Sequence, residues 1–161
     1  MDRLIKLNYH LNRLLILLGG IAVVALTMLA AANMLLRMIL TPINGSYELI
    51  SFCGAVATAF ALGYTQIKKN HIIVNIFTDK FPKKANKMLD GINYFVNMLF
   101  FGLVAWETLK WGMKIARTGE VSETLKIIYH PFVYCVAFGF GVLALTLFFD
   151  FVILFHEKER V

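Results

Sequence analysis

Reactive and metal-binding side chains are scarce in this chain of 161 residues. Its two cysteines, Cys53 and Cys135, lie inside apolar runs 82 positions apart, with neither CxxC nor Cys–His spacing. Zinc sites and disulfide frameworks usually show several cysteines or histidines at characteristic spacings. The sequence supports neither, so the two cysteines are expected to act as small buried apolar residues.

Catalytic sequence patterns are also missing. The chain has no Gly-rich phosphate loop, no Ser-His-Asp set and no HExxH sequence. His10, His71 and His156 lie in the flanks of apolar runs, and only His130 lies near the edge of one, so haem lacks two histidines at matching depth. The sequence therefore predicts no catalytic residue, no substrate-binding residue, no metal ligand and no cofactor in this chain.

Charge is the third scarce property. Charged residues make up 16% of the chain and hydrophobic residues 59%, with a mean hydropathy of +0.70. A water-soluble core of this size cannot use so much apolar surface. The formal net charge of +6 does not indicate nucleic acid, because the basic residues lie between long apolar runs without interleaved aromatics. The composition predicts an all-α integral membrane protein.

Four charge-free runs come near the length of a membrane crossing, which takes about 20 helical residues at 1.5 Å each. They cover 14–36, 49–67, 91–106 and 127–149. The third is short, but a helix that is apolar around its whole circumference has no place in a soluble fold. We predict a single transmembrane domain over 1–161, with spans at about 14–36, 49–67, 89–108 and 127–150.

The first run has some features of a secretion signal. Basic residues precede it, and Ala30, Ala31 and Ala32 could pass for a cleavage site. Its 23 residues exceed the usual signal core of about 7 to 15 and stay apolar beyond the alanines. We interpret it as an uncleaved span, with cleavage as the alternative.

Positive charge predicts the orientation. The N-terminal tail, the 68–90 segment and the C-terminal tail carry three, six and two Lys or Arg residues, against one and four for 37–47 and 107–126. Because short loops rich in Lys and Arg stay in the cytoplasm, both termini and the 68–90 segment are predicted to be cytoplasmic. The localisation expected is the inner (cytoplasmic) membrane, which the chain crosses several times.

The 68–90 segment is predicted to meet the membrane surface. Pro82 suits the first turn of a helix, and Lys83, Lys84 and Lys87 then share one face, where they would contact lipid headgroups. Residues 72–81 mix Ile, Val and Phe with polar residues and are too short to span. They predict a short interfacial amphipathic segment beside the four transmembrane helices.

Small residues recur every four positions in the second run, at Ala55, Ala59 and Gly63. Such a stripe allows another helix to approach closely, either from this chain or from a partner. A chance match in an alanine-rich helix is the other interpretation.

The hairpin between the first two runs holds two opposite charges. Arg37 and Glu48 flank a Pro- and Gly-containing turn and are predicted to form an ion pair, unless each reaches the headgroup layer alone. Ser46 is predicted to cap the second helix, with Glu48 adding negative charge at its positive end.

Ionisable residues elsewhere lie at the ends of the runs. Glu107 follows the third run and Asp150 the fourth. Buried carboxylates are typical of proton-coupled carriers, but these positions favour solvation at the interface. A self-sufficient four-helix proton-coupled carrier stays an alternative, as does a membrane anchor of a respiratory enzyme, which the histidine placement disfavours.

Several short stretches together resemble the small membrane subunit of tripartite ATP-independent periplasmic (TRAP) transporters. Arg37 and a Pro-containing turn precede Gly-Ser-Tyr-Glu-Leu at 45–49, Lys-Lys-Asn-His-Ile-Ile-Val-Asn occupies 68–75, and Gly-Glu-Val-Ser-Glu-Thr-Leu occupies 119–125. Their placement relative to four spans matches the family. The family often has Asp where this chain has Asn75.

The resemblance implies a division of labour among three proteins. A large multi-span membrane subunit would carry the sodium and solute sites, and a periplasmic solute-binding protein would deliver the solute, typically an organic acid. The small subunit would be a scaffold that is not an enzyme. Its outer connections, including Glu120 and Glu123, would then be the places able to contact the binding protein.

Overall fold

The computed structural model describes residues 2–39, 41, 43–68 and 83–156. Its helices are α1 (Asp2–Ile39), α2 (Ser46–Ile67), α3 (Lys83–Thr118) and α4 (His130–His156). All four are long and apolar enough to cross a membrane, which confirms the predicted four-helix fold. The predicted interfacial segment 72–81 and the side chains of Lys83, Lys84 and Lys87 lie outside the described residues.

The helices pack in the order α1, α2, α4, α3, with a smaller contact between α1 and α4. Phe52 of α2 stacks on Phe132 of α4, and Gln66 bonds to Asp150 further along, so α2 and α4 run in the same direction. We call the end with residues 41–46 and 119–129 the connection end, and the opposite one the terminal end. In this arrangement the outer helices α1 and α3 keep most of their surface unpartnered within the chain.

Small residues bring α2 close to both of its neighbours. A Cβ added at Gly139 of α4 would lie 2.8 Å from the backbone oxygen of Ala59, and one at Gly19 of α1 would lie 3.3 Å from that of Ala57. Substitution at these glycines would have to push backbones apart. A small apolar core lies beside these contacts, formed by Leu15, Phe60 and Val142.

Helix α3 extends well beyond the span predicted at 89–108. It continues to Thr118, where Gly119 adopts a φ of 68° and donates its amide to the Ile115 carbonyl oxygen at 3.0 Å. A glycine in the left-handed region is a common helix terminator. The added turns are held by Ile115, which is buried although charged residues surround it in sequence.

Candidate partner-binding surfaces

A single carboxylate joins the two connections at the connection end. Glu48, in the first turn of α2, accepts hydrogen bonds from the backbone amides of Thr124 at 2.6 Å and Leu125 at 3.2 Å. The Leu125 side chain covers Gly45, where an added Cβ would collide with it. Gly45 also has a φ of 74°, which favours glycine. We call Gly45, Glu48, Thr124 and Leu125 the clamp.

Glu48 bonds to the loop and does not pair with Arg37. Within the described ranges, the ion pair that the structure shows joins Lys110 and Glu107, and Arg37 and Glu48 do not form one. The prediction that Ser46 caps α2 is wrong. Gly45 occupies the cap position without a side-chain bond, and Ser46 is the first helical residue, with its own side chain buried.

The loop after α3 is internally bonded. Val121 and Ile128 form an antiparallel bridge, and the Glu120 carboxylate accepts hydrogen bonds from the hydroxyls of Thr118 at 3.0 Å and Tyr129 at 3.1 Å. Partial burial and the bond to Glu120 raise the pKa of the Tyr129 hydroxyl. Of the two predicted contact residues, Glu120 is thus tied into the loop, while Glu123 lies exposed on the turn.

Aromatic rings fasten this loop to the helices. The Phe52 ring stacks on Tyr129 with centroids 5.9 Å apart and on Phe132 with centroids 5.0 Å apart. Because these rings come from α2, the loop and α4, their stacking adds an apolar contact between the loop and both helices beside the clamp.

Buried amides join the helices near the terminal end. The Asn12 side chain is 0% exposed, and its Nδ2 donates to the Thr146 hydroxyl at 3.2 Å and to the Asn8 carbonyl oxygen at 2.9 Å. Thr146 in turn donates to the Val142 carbonyl oxygen at 2.9 Å. An added Cβ at Gly63 would strike Asn12 Oδ1, so the missing side chain of Gly63 makes room for this contact.

These contacts show where the stripe of small residues lies. Gly63 faces Asn12 of α1 and Ala59 faces Gly139 of α4, so both pack within the chain, while Ala55 is exposed. Sequence reasoning missed Asn12, because Arg13 bounds the first apolar run, which begins at Leu14, two residues after Asn12.

The two carboxylates at the predicted span ends have different surroundings. Asp150 is half-buried and accepts a hydrogen bond from the Gln66 amide at 2.8 Å. Glu107 is exposed and pairs with Lys110 at 2.9 Å. Within the described part of the chain, no group of three or more His, Cys, Asp or Glu side chains is placed to hold a metal ion.

An open groove of about 790 Å³ runs between α3 and α4. Its lining is almost wholly apolar, and an added Cβ at Gly102 or Gly141 would meet nothing within 4 Å. Larger side chains, including those of Trp106 and Phe138, contribute to its lining. Small residues from both helices also line it, namely Gly102, Ala105, Ala137, Gly141 and Ala144.

Comparison with known proteins agrees with the resemblance seen in the sequence. The family model described as "Tripartite ATP-independent periplasmic transporters, DctQ component" matches residues 26–156, which include α2, α3, α4 and the last part of α1. No curated protein and no solved structure shows significant similarity to the chain. With most of its length matched, the chain belongs to the DctQ family of TRAP transporter components.

Proposed function

We propose that this chain is the small, non-transporting membrane subunit of a sodium-driven TRAP transporter, which scaffolds a large transport subunit during uptake of an organic acid. The observation that carries the proposal is the open order of the helices. Among the described helices α2 and α4 form the middle of the row, whereas α1 and α3 lie at its ends with most of their apolar surface left for partners and lipid. A helix row of this kind suits a subunit that packs beside another protein.

Local pairing of the ionisable groups supports a packing role. Asp150 bonds to Gln66, and Glu107 pairs with Lys110 on an exposed helix face. A coupling carboxylate would need a buried position on a path for the ion. Sodium and solute are therefore assigned to the large subunit.

The groove between α3 and α4 is the proposed seat for a helix of the large subunit. Without a hydrophobic driving force between helices in lipid, close backbone approach over small residues is what favours their association. Gly102 and Gly141 provide that approach on facing helices, with open space above both. The surrounding aromatic and aliphatic side chains would pack along the flanks of the incoming helix.

The connection end is proposed to face the periplasm and the terminal end the cytoplasm, in the inner membrane. The excess of Lys and Arg in the two tails and the 68–90 segment supports this orientation. Glu123 would then be open to the solute-binding protein, with Glu120 shaping the same loop through Tyr129. Lys83, Lys84 and Lys87 would contact headgroups of the cytoplasmic leaflet.

Reconstitution tests the proposed function. Proteoliposomes that hold this chain and the large subunit, supplied with the binding protein and an inward sodium gradient, are expected to accumulate an organic acid. Vesicles that hold either membrane subunit alone should take up none. Uptake by this chain alone would contradict the proposal, whichever ion drove it.

Filling the groove tests its proposed occupant. An added Cβ at Gly141 meets nothing within 4 Å, so Gly141→Leu is expected to fold normally yet lose co-purification with the large subunit by about tenfold or more. Gly20→Leu on α1 and Gly54→Leu on α2 are matched controls, since an added Cβ meets nothing within 4 Å at either site. Loss of assembly in a control but not in Gly141→Leu would place the partner elsewhere.

A further inference from the structure

Four charged side chains lie along one face of α3 near the connection end. Glu107, Lys110, Lys114 and Arg117 recur at spacings of three and four residues, which places them on one side of a helix. All four are exposed, with 67% of the Glu107 side chain and 50% of the Lys110 side chain accessible. We call Lys110, Lys114 and Arg117 the basic face.

Contacts between α3 and α4 fix the depth of these charges. Phe101 stacks on Phe140 with centroids 6.0 Å apart, and an added Cβ at Gly112 would lie 2.8 Å from the ring of Tyr134. The first two charges of the set lie between these contacts along α3. They are therefore level with the middle of the charge-free run 127–149 of α4.

The apolar run of α1 is offset in the opposite direction. Asn12 bonds to Thr146, so the run 14–36 begins level with the later part of α4 and extends past the start of that helix. The midpoint of the run 91–106 of α3 therefore lies closer to the terminal end than the midpoint of the run 14–36 of α1. The difference is roughly 14 Å at 1.5 Å per residue. An offset between the apolar runs of neighbouring helices is accommodated when the helices tilt in the bilayer. Such a tilt brings the basic face to the bilayer surface.

Tryptophan marks the same level. The chain has two tryptophans, Trp106 and Trp111, which are 57% and 55% exposed. At about 100° per residue they lie on opposite sides of the charged face around the helix. Lys110 Nζ lies 5.6 Å from the centroid of the Trp106 ring. Exposed Trp beside Lys and Arg is typical of the membrane–water interface.

We propose that the basic face binds the phosphate groups of anionic phospholipids in the leaflet at the connection end, with the bundle inclined so that the last part of α3 lies among the headgroups. Ammonium and guanidinium groups suit phosphate oxygens, and three of them within three helical turns attract anionic lipid. The inclination keeps the same charges out of the hydrocarbon. This proposal stands independently of the transport function.

Intrinsic fluorescence tests the proposal, because both tryptophans flank the basic face. The full-length chain is placed in phosphatidylcholine vesicles with 30% phosphatidylglycerol, and bromine is attached near the headgroup or near the chain end. Shallow bromines should quench more strongly than deep ones. At equal mole fraction, brominated phosphatidylglycerol should quench as though it were about threefold or more enriched over brominated phosphatidylcholine.

Charge variants separate the basic face from general attraction. Lys110→Gln/Lys114→Gln/Arg117→Gln should abolish the enrichment of phosphatidylglycerol around the tryptophans. Arg3→Gln/Lys6→Gln/Arg13→Gln removes the same charge from α1 near the terminal end and should leave it unchanged. Lys110→Arg/Lys114→Arg keeps the charge and should retain the enrichment, and 0.5 M NaCl should reduce it in the unmodified chain.

Three results would overturn the proposal. Stronger quenching by deep bromines would place the tryptophans in the hydrocarbon. Equal quenching by the two brominated lipids in the unmodified chain would show that the face does not select anionic headgroups. Loss of lipid quenching of Trp111 when the large subunit is added, tested with Trp106→Phe, would show that protein covers the face instead.

Discussion

The two ends of the bundle are held together by different chemistry. At the connection end, a carboxylate on α2 binds backbone amides of a loop, as Glu48 does with Thr124 and Leu125 on the exposed rim. At the terminal end, a buried amide joins two helices, as Asn12 does with Thr146. The first is a bond between charge and backbone, and the second depends on a close fit between side chains.

The difference indicates what each end can tolerate. An exposed charged bond competes with water and salt, so its loss should loosen the loop and leave the helices in place. A buried amide that loses its partner, or the space it occupies, disturbs every helix around it. Substitutions at the terminal end should therefore act on the whole bundle, and those at the connection end on the loop alone.

The largest expected effect tests the terminal end. Gly63→Leu places a side chain where Asn12 Oδ1 lies, so α1 and α2 must separate and the bond to Thr146 is strained or lost. Overpacking of this kind costs about 1–3 kcal/mol, so the thermal unfolding midpoint in detergent should fall by roughly 2 to 12 °C. Gly20→Leu is the matched control and should shift it little. Equal midpoints for the two variants would remove the distinction between the ends.

The clamp gives the next largest effect. Glu48→Gln keeps the shape of the side chain but removes the charge that strengthens its bonds to the Thr124 and Leu125 amides. Hydrogen exchange at these two amides should quicken by about tenfold, while exchange in the middle of α4 stays unchanged. Faster exchange throughout α4 would show that the clamp holds the helices as well as the loop.

Transport by the complete complex tests whether Asp150, near the terminal end, and Glu107, on the connection-end side of α3, serve proton coupling. Asp150→Asn retains an oxygen that can accept the Gln66 amide, and Glu107→Gln retains its exposed position. Each variant should keep uptake within about threefold of the unmodified complex, because neither carboxylate is proposed to carry a proton. Complete loss with assembly intact would favour the self-sufficient carrier.

The smallest effect concerns the loop itself. Glu120→Gln removes the negative charge beside the Tyr129 hydroxyl, so the pKa of Tyr129 should fall toward its usual value in a ¹³C-tyrosine titration. A raised pKa in the folded state means that the contact stabilises the loop below about pH 10 and is lost as pH rises through the folded value. Burial is the larger cause of the raised pKa, so Glu120→Gln should remove only part of the shift. An unchanged pKa in Glu120→Gln would assign the shift to burial alone.

The sequence predicted the four helices because each has a long charge-free run, and that signal is local. It did not predict that α3 continues to Thr118, since the charges after Trp106 suggested an end to the helix. They do not end it because they lie on an exposed face of the helix, while Gly112 lies against Tyr134 of α4 and Ile115 is buried. Charge along a sequence shows where a run stops being apolar, but not which side of the helix is polar.

The contacts of the site were harder to predict because they join distant segments. Glu48 was paired with its nearest opposite charge in sequence, Arg37, whereas its bonds go to amides 76 and 77 residues away. Gly63 was identified as a packing residue, but the Asn12 side chain that it accommodates could not be seen from spacing alone. Backbone donors in a loop leave no mark in the sequence.

The parallel arrangement of α2 and α4 has a consequence for how the protein is made. In chain order the helices form two packed pairs, α1 with α2 and α3 with α4, and the seam between Ala59 and Gly139 joins the first pair to the second. That seam cannot close until the last helix has entered the bilayer. A nascent chain that stops at Thr118 would therefore expose the buried side of α2 to lipid, and a chaperone or protease that recognises this surface could tell an unfinished subunit from a complete one.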